Sequence, residues 1–184
     1  MKIYQLYARN VEQTILKILN SQEECLVYGI PDKKYVFIGF QNNEINLENL
    51  KKYNIEILKF PNEGGVIVVD IGDLDFGYFS KDLNNKFNEN LALKICEYLK
   101  NNNINVEIVK NDLIIDKKYK CGSFSSRIFN NVKYSAFHIS INVNLDIIKA
   151  ICVKPMIKIP KGLSEYGITG LELKDYLMEY LKND

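Results

Sequence analysis

The chain has 184 residues, of which 47% are hydrophobic and 26% charged, and a formal net charge of +1 at pH 7. That length fits one domain with a full-sized core, and the near-neutral balance gives no electrostatic case for nucleic acid or an acidic membrane surface. No apolar run approaches the ~18 residues of a membrane span, and Met1-Lys2-Ile3-Tyr4 lacks the apolar segment of a signal peptide, so a cytoplasmic protein is expected. Cys25, Cys96, Cys121 and Cys152 form no C-x-x-C pair and His138 is the lone histidine, which argues against zinc and for scattered buried thiols.

In chain order, Lys2 to Tyr7 reads as a strand. Asn10, with Gln13 three residues on, is expected to cap a helix whose apolar stripe is Val11, Ile15, Ile18 and Leu19. Cys25 to Tyr28 and Tyr35 to Ile38 read as strands joined through the turn Pro31-Asp32-Lys33-Lys34. A short helix over Leu47 to Tyr53, a strand over Ile55 to Phe60, a buried interior strand over Val66 to Val69 and a strand over Phe76 to Phe79 follow. Asn88 opens a helix through Lys100, with Leu91, Ile95, Tyr98 and Leu99 on one face. Ile104 to Val109, Leu113 to Ile115, Tyr119 to Phe129 and Val132 to Val143 then form a meander with turns at Asn111-Asp112, Asp116-Lys117 and Asn130-Asn131. Leu145 to Cys152 is a short helix and Lys154 to Gly167 a surface loop. Thr169 and Glu172 make a capping box for a last helix striped by Leu173, Tyr176, Leu177 and Tyr180. With no repeat and no linker, the pattern argues a single α+β domain over residues 1–184.

One stretch is chemically specific. Gly64-Gly65 opens the run Val66-Ile67-Val68-Val69, which ends in Asp70-Ile71-Gly72-Asp73-Leu74-Asp75-Phe76. A glycine pair feeding a strand lets backbone N–H groups meet a carboxylate or phosphate closely. A turn before an ordinary core strand is the competing reading. Asp70, Asp73 and Asp75, three carboxylates within six residues, suit Mg²⁺ as readily as a solvated turn. Asn111-Asp112 between two strands is a hairpin turn in its own right.

The ordered set Val36-Phe37-Ile38-Gly39-Phe40-Gln41-Asn42, Glu44-Ile45-Asn46 and Gly64 to Phe76 resembles the lipoate–protein ligases of the biotin/lipoate ligase superfamily. So do Asn111-Asp112 with Lys118 to Ser123, and Ile141 to Asp146. The resemblance covers about residues 25–150. It implies an α+β fold with a mixed, largely antiparallel sheet flanked by helices, akin to class II aminoacyl-tRNA synthetases. By the same resemblance the activity is ATP-dependent activation of lipoate, or a related acyl acid such as octanoate or biotin, as its adenylate. Transfer to a lysine of a lipoyl- or biotinyl-type acceptor domain follows, with Mg²⁺ assisting. Carried over residue by residue, Lys120 is the catalytic cation. Gly64, Gly65, Val66, Asp70, Asn111, Asp112, Gly122 and Ser123 bind substrate or adenylate, Asp112 also holding the metal. Val36, Ile38, Val66, Val68 and Phe76 are the candidates for an acyl tunnel, with plain core as the alternative.

The chain departs from the family pattern at three places. Phe60-Pro61 and Glu63 stand where the pattern has arginines and its first glycine, leaving Lys59 as the nearest cation and removing a bidentate phosphate partner. Tyr119 occupies the place of the family lysine, flanked by Lys118 and Lys120. Regular alternation turns both lysines away from the face of Tyr119, so Lys120 reaches the site only through a one-residue β-bulge between Lys120 and Gly122. No length remains after Gly167 for the C-terminal accessory domain of full lipoate ligases, which implies a separate accessory chain. Met156 in Pro155-Met156-Ile157 speaks against the cysteine thioester route of octanoyltransferases. His138 is read as a structural histidine rather than a base. A catalytically inactive relative that binds an acyl ligand, an adenylate or a protein is the second reading.

Overall fold

Runs of β-branched and aromatic residues, broken by Asn, Asp and Gly pairs, become strands, and two sheets made of them enclose the site. A computed structural model describes residues 2–7, 11–38, 45–59, 65–154 and 156–183. The expected Asn10 cap, the Phe60-Pro61 and Glu63 departures and Gly64 lie outside the described residues. In chain order come β1 (Lys2–Leu6), α1 (Val11–Ser21), β2 (Cys25–Gly29), β3 (Tyr35–Ile38), α2 (Leu47–Lys52), β4 (Glu56–Lys59) and β5 (Val66–Val69). Then follow β6 (Leu74–Ser80), α3 (Phe87–Asn101), β7 (Val106–Val109), β8 (Asp112–Ile115), β9 (Tyr119–Phe129) and β10 (Val132–Ile139). The described chain closes with α4 (Leu145–Ile151), β11 (Ile159–Pro160), a 3₁₀ turn over Leu163–Tyr166 and α5 (Gly170–Asn183).

Among the described residues the main sheet runs β1-β2-β6-β10-β9-β8-β7, with β11 added beside β9. Its pairings are antiparallel except β1 with β2 and β11 with β9. The hairpin from β9 to β10 turns at Asn130 (φ 45°) and Asn131 (φ 63°), the left-handed pair that a two-residue hairpin favours. On one face α3 and α5 cover a core of Leu91, Ile95, Leu99, Leu113, Ile115, Phe137, Leu173 and Leu177. On the other, α1 packs Ile15, Ile18 and Leu19 against Val27, Phe79 and Tyr134. A second, three-stranded sheet, β4-β3-β5, packs Val36, Ile38, Val66 and Val68 on α2 and α4 through Leu50 and Ile151.

Several expectations are corrected. Val66 to Val69 is not an interior strand: among the described residues β5 pairs with β3 alone and is half-buried over most of its length. Asp112 does not sit in a turn but begins β8, since the turn falls at Lys110 (φ 57°) and Asn111. Asn88 lies inside the first turn of α3, where its amide donates to the Ser125 carbonyl (2.9 Å). β10 stops at Ile139, and part of the expected loop 154–167 is ordered as β11 and the 3₁₀ turn.

The capping box at α5 is formed. Glu172 N donates to Thr169 Oγ1 (3.2 Å) and Thr169 N to Glu172 Oε2 (3.1 Å). Thr169→Ala is expected to cost about 1 kcal/mol in urea unfolding; no change in the midpoint would show that the cap contributes nothing to the native state.

Candidate active site

The strand registers line up one transverse row across the main sheet. Leu6, Gly29, Asp75, His138, Ser123 and Asp112 are successive cross-strand partners, so their side chains share one face. The next row on that face runs Val27, Gly77, Ala136 and Ser125. Both rows floor a cavity of ≈ 250 Å³. In the second row Ala136 and Ser125 are small, and Gly77 lets Val27 and Tyr134 close over the backbone. At Gly77 a Cβ would meet Val27 Cγ2 at 2.7 Å and the Tyr134 ring at 2.9 Å. Tyr35, Phe37 and Ile67 of the small sheet line it from above, and Val11, Ile15 and Tyr134 from the α1 side. The cavity is thus apolar along its length and polar where Asn111, Asp112, Lys120, Ser123 and His138 meet.

Lys120 belongs to that polar group because of a bulge. Asp112 pairs with Ser123 and Leu113 with Gly122, but Ile114 pairs with Lys120, so Cys121 is the extra residue. Cys121 is fully buried in the α3-side core, and Gly122 on the same side faces the Leu113 side chain. Two consecutive residues on one side reverse the alternation, which turns Lys120 to the cavity face. Tyr119, paired with Ile115, falls outside the cavity lining.

Lys120 Nζ lies 2.9 Å from Asp112 Oδ1, and Lys158 Nζ lies 2.7 Å from Asp112 Oδ2. Partial burial alone would raise the Asp112 pKa, but the two ammonium groups outweigh it and hold the carboxyl below its ordinary range. Beside them a second polar group is tied down. His138 Nδ1 is 2.8 Å from Asp75 Oδ1, Tyr35 OH donates to Asp75 Oδ2 (2.9 Å), and His138 Nε2 is 3.2 Å from Ser140 Oγ. Burial disfavours the His138 cation, yet the Asp75 hydrogen bond and charge, with Asp73 behind them, raise its pKa.

Asp73 is a structural anchor. Its Oδ1 accepts from Ile141 N (2.7 Å) and Asn142 N (2.9 Å), and its Oδ2 from Asp70 N (2.8 Å). Burial pushes its pKa up to about 6, against the His138 charge and those three donors. Asp70 pairs with Lys34 (3.2 Å). The carboxylate trio of the sequence is therefore dispersed, and among the described residues no group of three or more His, Cys, Asp or Glu side chains suits a metal. Asp112, expected as a metal ligand, has each oxygen engaged by a lysine, so the donor set does not make a magnesium site by itself.

A family model for the lipoyl protein ligase A/B catalytic domain matches residues 5–179. The chain belongs to that family. Lipoate–protein ligase 1 of Staphylococcus aureus is 22% identical over 179 residues, covering 94% of this chain but 54% of that protein. The chain thus spans about half the length of the curated relative it matches. A chain of a bi-partite lipoate protein ligase system from Thermoplasma acidophilum superposes with a TM-score of 0.80 at 16% identity, covering 97% of this chain and 80% of that one. A lipoate-protein ligase A bound with ATP gives 0.78 at 16%, covering 97% and 82%. The fold is the α+β, mixed and largely antiparallel one of this ligase family.

In this ligase-family chain the cavity brings together Gly65, Asn111, Asp112, Lys120 and Ser123 of the expected site residues. Val66 and Asp70 do not line it, and Gly122 serves beside the bulge from the opposite face. Of the expected tunnel residues only Phe76 lines the cavity; Val36, Ile38, Val66 and Val68 point the other way. Their neighbours Tyr35, Phe37 and Ile67 do the lining, a period-two reversal. His138 is the buried, hydrogen-bonded structural histidine expected, Asp75 is its partner rather than a metal ligand, and Tyr35 and Lys158 are additions that the sequence did not single out. Period-two counting from Ser123 would have placed His138 on the cavity face only with the β9–β10 register known. Among the described residues no helix is long and apolar enough to cross a membrane.

The buried acids and histidine set a pH dependence. Asp73, raised to about 6, keeps its proton in the folded state where the unfolded chain, with a pKa of ~4, has lost it. Stability therefore falls as pH climbs through that window. His138 acts in the same direction: its contribution is full below ~6.5 and is lost as pH rises through its raised folded pKa. Asp112, with a lowered pKa, contributes oppositely and only in more acidic solution. The melting temperature should peak in mildly acidic buffer and decline toward pH 8, with His138→Gln flattening the upper limb. A melting temperature rising steadily from pH 5 to 8 would contradict this.

Proposed function

We propose that this chain is a lipoate–protein ligase catalytic domain that activates lipoate, or an acyl acid of similar length, with ATP and passes it to a lysine of a lipoyl-type acceptor domain. The observation that carries the reading is the bulge at Cys121, which puts Lys120 at the polar end of an apolar cavity. The acyl chain occupies the cavity and its carboxylate meets Lys120. The carboxylate oxygen attacks the α-phosphorus of ATP and pyrophosphate leaves, forming the acyl-adenylate. The acceptor amine then attacks the acyl carbonyl and AMP leaves. In both steps the Lys120 ammonium stabilises negative charge on the carbonyl oxygen, at roughly 3 Å, while Asp112 holds Lys120 in place. Gly65 lines the cavity, where a glycine would allow close backbone approach. A divalent cation would come with the nucleotide phosphates rather than sit in a protein cage.

The bi-partite archaeal system motivates a separate accessory chain for this protein too, and the missing arginines at Phe60-Pro61 motivate a ranking of ligands. The acyl acid or its adenylate is expected to bind more tightly than free ATP. Calorimetry with lipoate, octanoate, biotin and ATP checks the ranking; ATP binding with no acyl dependence would count against it. The activity itself is tested by the mass shift of a purified lipoyl domain on incubation with lipoate and ATP. No shift and no pyrophosphate, alone or with an accessory chain, would leave the binding-module reading in its place.

A further inference from the structure

Lys158 carries a charge to the site that the sequence motif does not. It lies between α4 and β11 on a surface strap whose neighbours Ile157 and Ile159 are 99% and 41% exposed. Three main-chain positions pin the strap to β9: Ile159 pairs with Tyr119, Pro160 with Lys120, and Lys161 N donates to Lys120 O (2.9 Å). The strap therefore follows β9 at the bulge, and Lys158 comes to lie on the Asp112 oxygen that Lys120 does not use. Lys161 is committed elsewhere, to the Tyr166 hydroxyl (2.9 Å) and the Tyr119 ring.

Two ammonium groups on one carboxylate leave that cluster with an excess of one positive charge at the polar end of the cavity. Asp112 Oδ2 is a good acceptor for Lys158, but a phosphate oxygen is an equally charged one and competes for the same donor. The position selects which anion. Lys120 lines the cavity, whereas Lys158 reaches Asp112 from outside the lining. Because the two lysines share the Asp112 carboxylate, a ligand whose carbonyl meets Lys120 has the Lys158 ammonium one carboxylate's width away, within reach of its next group. In an acyl-adenylate that group is the phosphate. We propose that Lys158 is a second phosphate-binding cation, held on Asp112 until the nucleotide phosphate takes its ammonium. This supplies from the strap the positive charge that Phe60-Pro61 lacks, and it rests on the ligase reading above.

Calorimetry with lipoate and with a non-hydrolysable lipoyl-adenylate analogue that keeps its phosphate oxygens tests the assignment on the full chain. Lys158→Ala should weaken the analogue by about tenfold or more and leave lipoate within about twofold, as for the loss of one charge-assisted hydrogen bond. Lys158→Arg should restore most of the loss, and the salt dependence of analogue binding should be shallower in Lys158→Ala than in wild type. In turnover the same variant should raise the KM for ATP more than it lowers kcat. A wild-type protein that binds the analogue, with Lys158→Ala binding it equally, overturns the role of Lys158 and leaves the ligase reading standing. Equal loss of lipoate and analogue in Lys158→Ala, with a lowered melting temperature, also overturns it, assigning Lys158 to the structure of the strap. Wild-type protein that binds neither ligand overturns the ligase reading and this inference together.

Discussion

Lys120→Ala is expected to lower ATP-dependent pyrophosphate release and lipoyl-domain modification by about 100- to 1000-fold, the range for removing one donor from developing oxyanion charge. The side chain is about one-third exposed (35%), so its loss should leave folding nearly intact, and the effect should appear in kcat. Lys118 lies over the Tyr119 ring rather than on Asp112, and Lys118→Ala should stay within about twofold of wild type. The contrast matters because the two lysines flank the same tyrosine in sequence. If Lys120→Ala keeps a third or more of the activity, the bulge has no catalytic consequence and the cation must come from elsewhere. Lys120→Arg tests geometry rather than charge: a planar fork cannot reproduce a compact ammonium at the same point, so only partial recovery is expected.

The largest stability effect should come from Asp73→Ala. Asp73 is 1% exposed and accepts three backbone N–H donors, from Asp70, Ile141 and Asn142. Its loss leaves three donors without their partner at the junction where the β5–β6 turn meets the end of β10. The junction has little slack. A Cβ at Gly170 would lie 2.3 Å from the Gly72 carbonyl oxygen, and one at Gly162 would lie 2.4 Å from that of Ile141. Even with a water in the vacated space the three donors lose a charged acceptor that spans both segments, so a cost on the order of 4 kcal/mol is expected, a drop of roughly 10 °C in melting temperature. Asp73→Asn retains one acceptor oxygen and should fall between the two. Should Asp73→Ala melt within about 2 °C of wild type, the carboxylate is not what joins these segments.

The turn chemistry and the periodic elements were legible because they depend on neighbours in the chain. Asn130-Asn131 takes left-handed φ at both residues, as a two-residue hairpin asks. Thr169 and Glu172 find each other across one helical turn. The stripe of α1 could be counted without any knowledge of the fold. The family motifs were equally local, and the order in which they occur led to the right fold.

Facing was not local. Val36, Ile38, Val66 and Val68 are as apolar as Phe37 and Ile67, and alternation says only that the two sets lie on opposite sides of the small sheet. Which side meets the cavity is set by where α2 and α4 dock. Lys120 shows the same limit more sharply. The sequence by itself determined that Lys120 could reach the site only if the strand carried one extra residue before Gly122. Whether it does was decided by the tertiary structure, because the Cys121 side chain is drawn into the core beneath α3 and the pairing with β8 slips by one. Lys158 lay beyond any counting rule. Thirty-eight positions separate it from Lys120 in the numbering, and only the pairing of β11 with β9 sets both ammonium groups on one carboxylate.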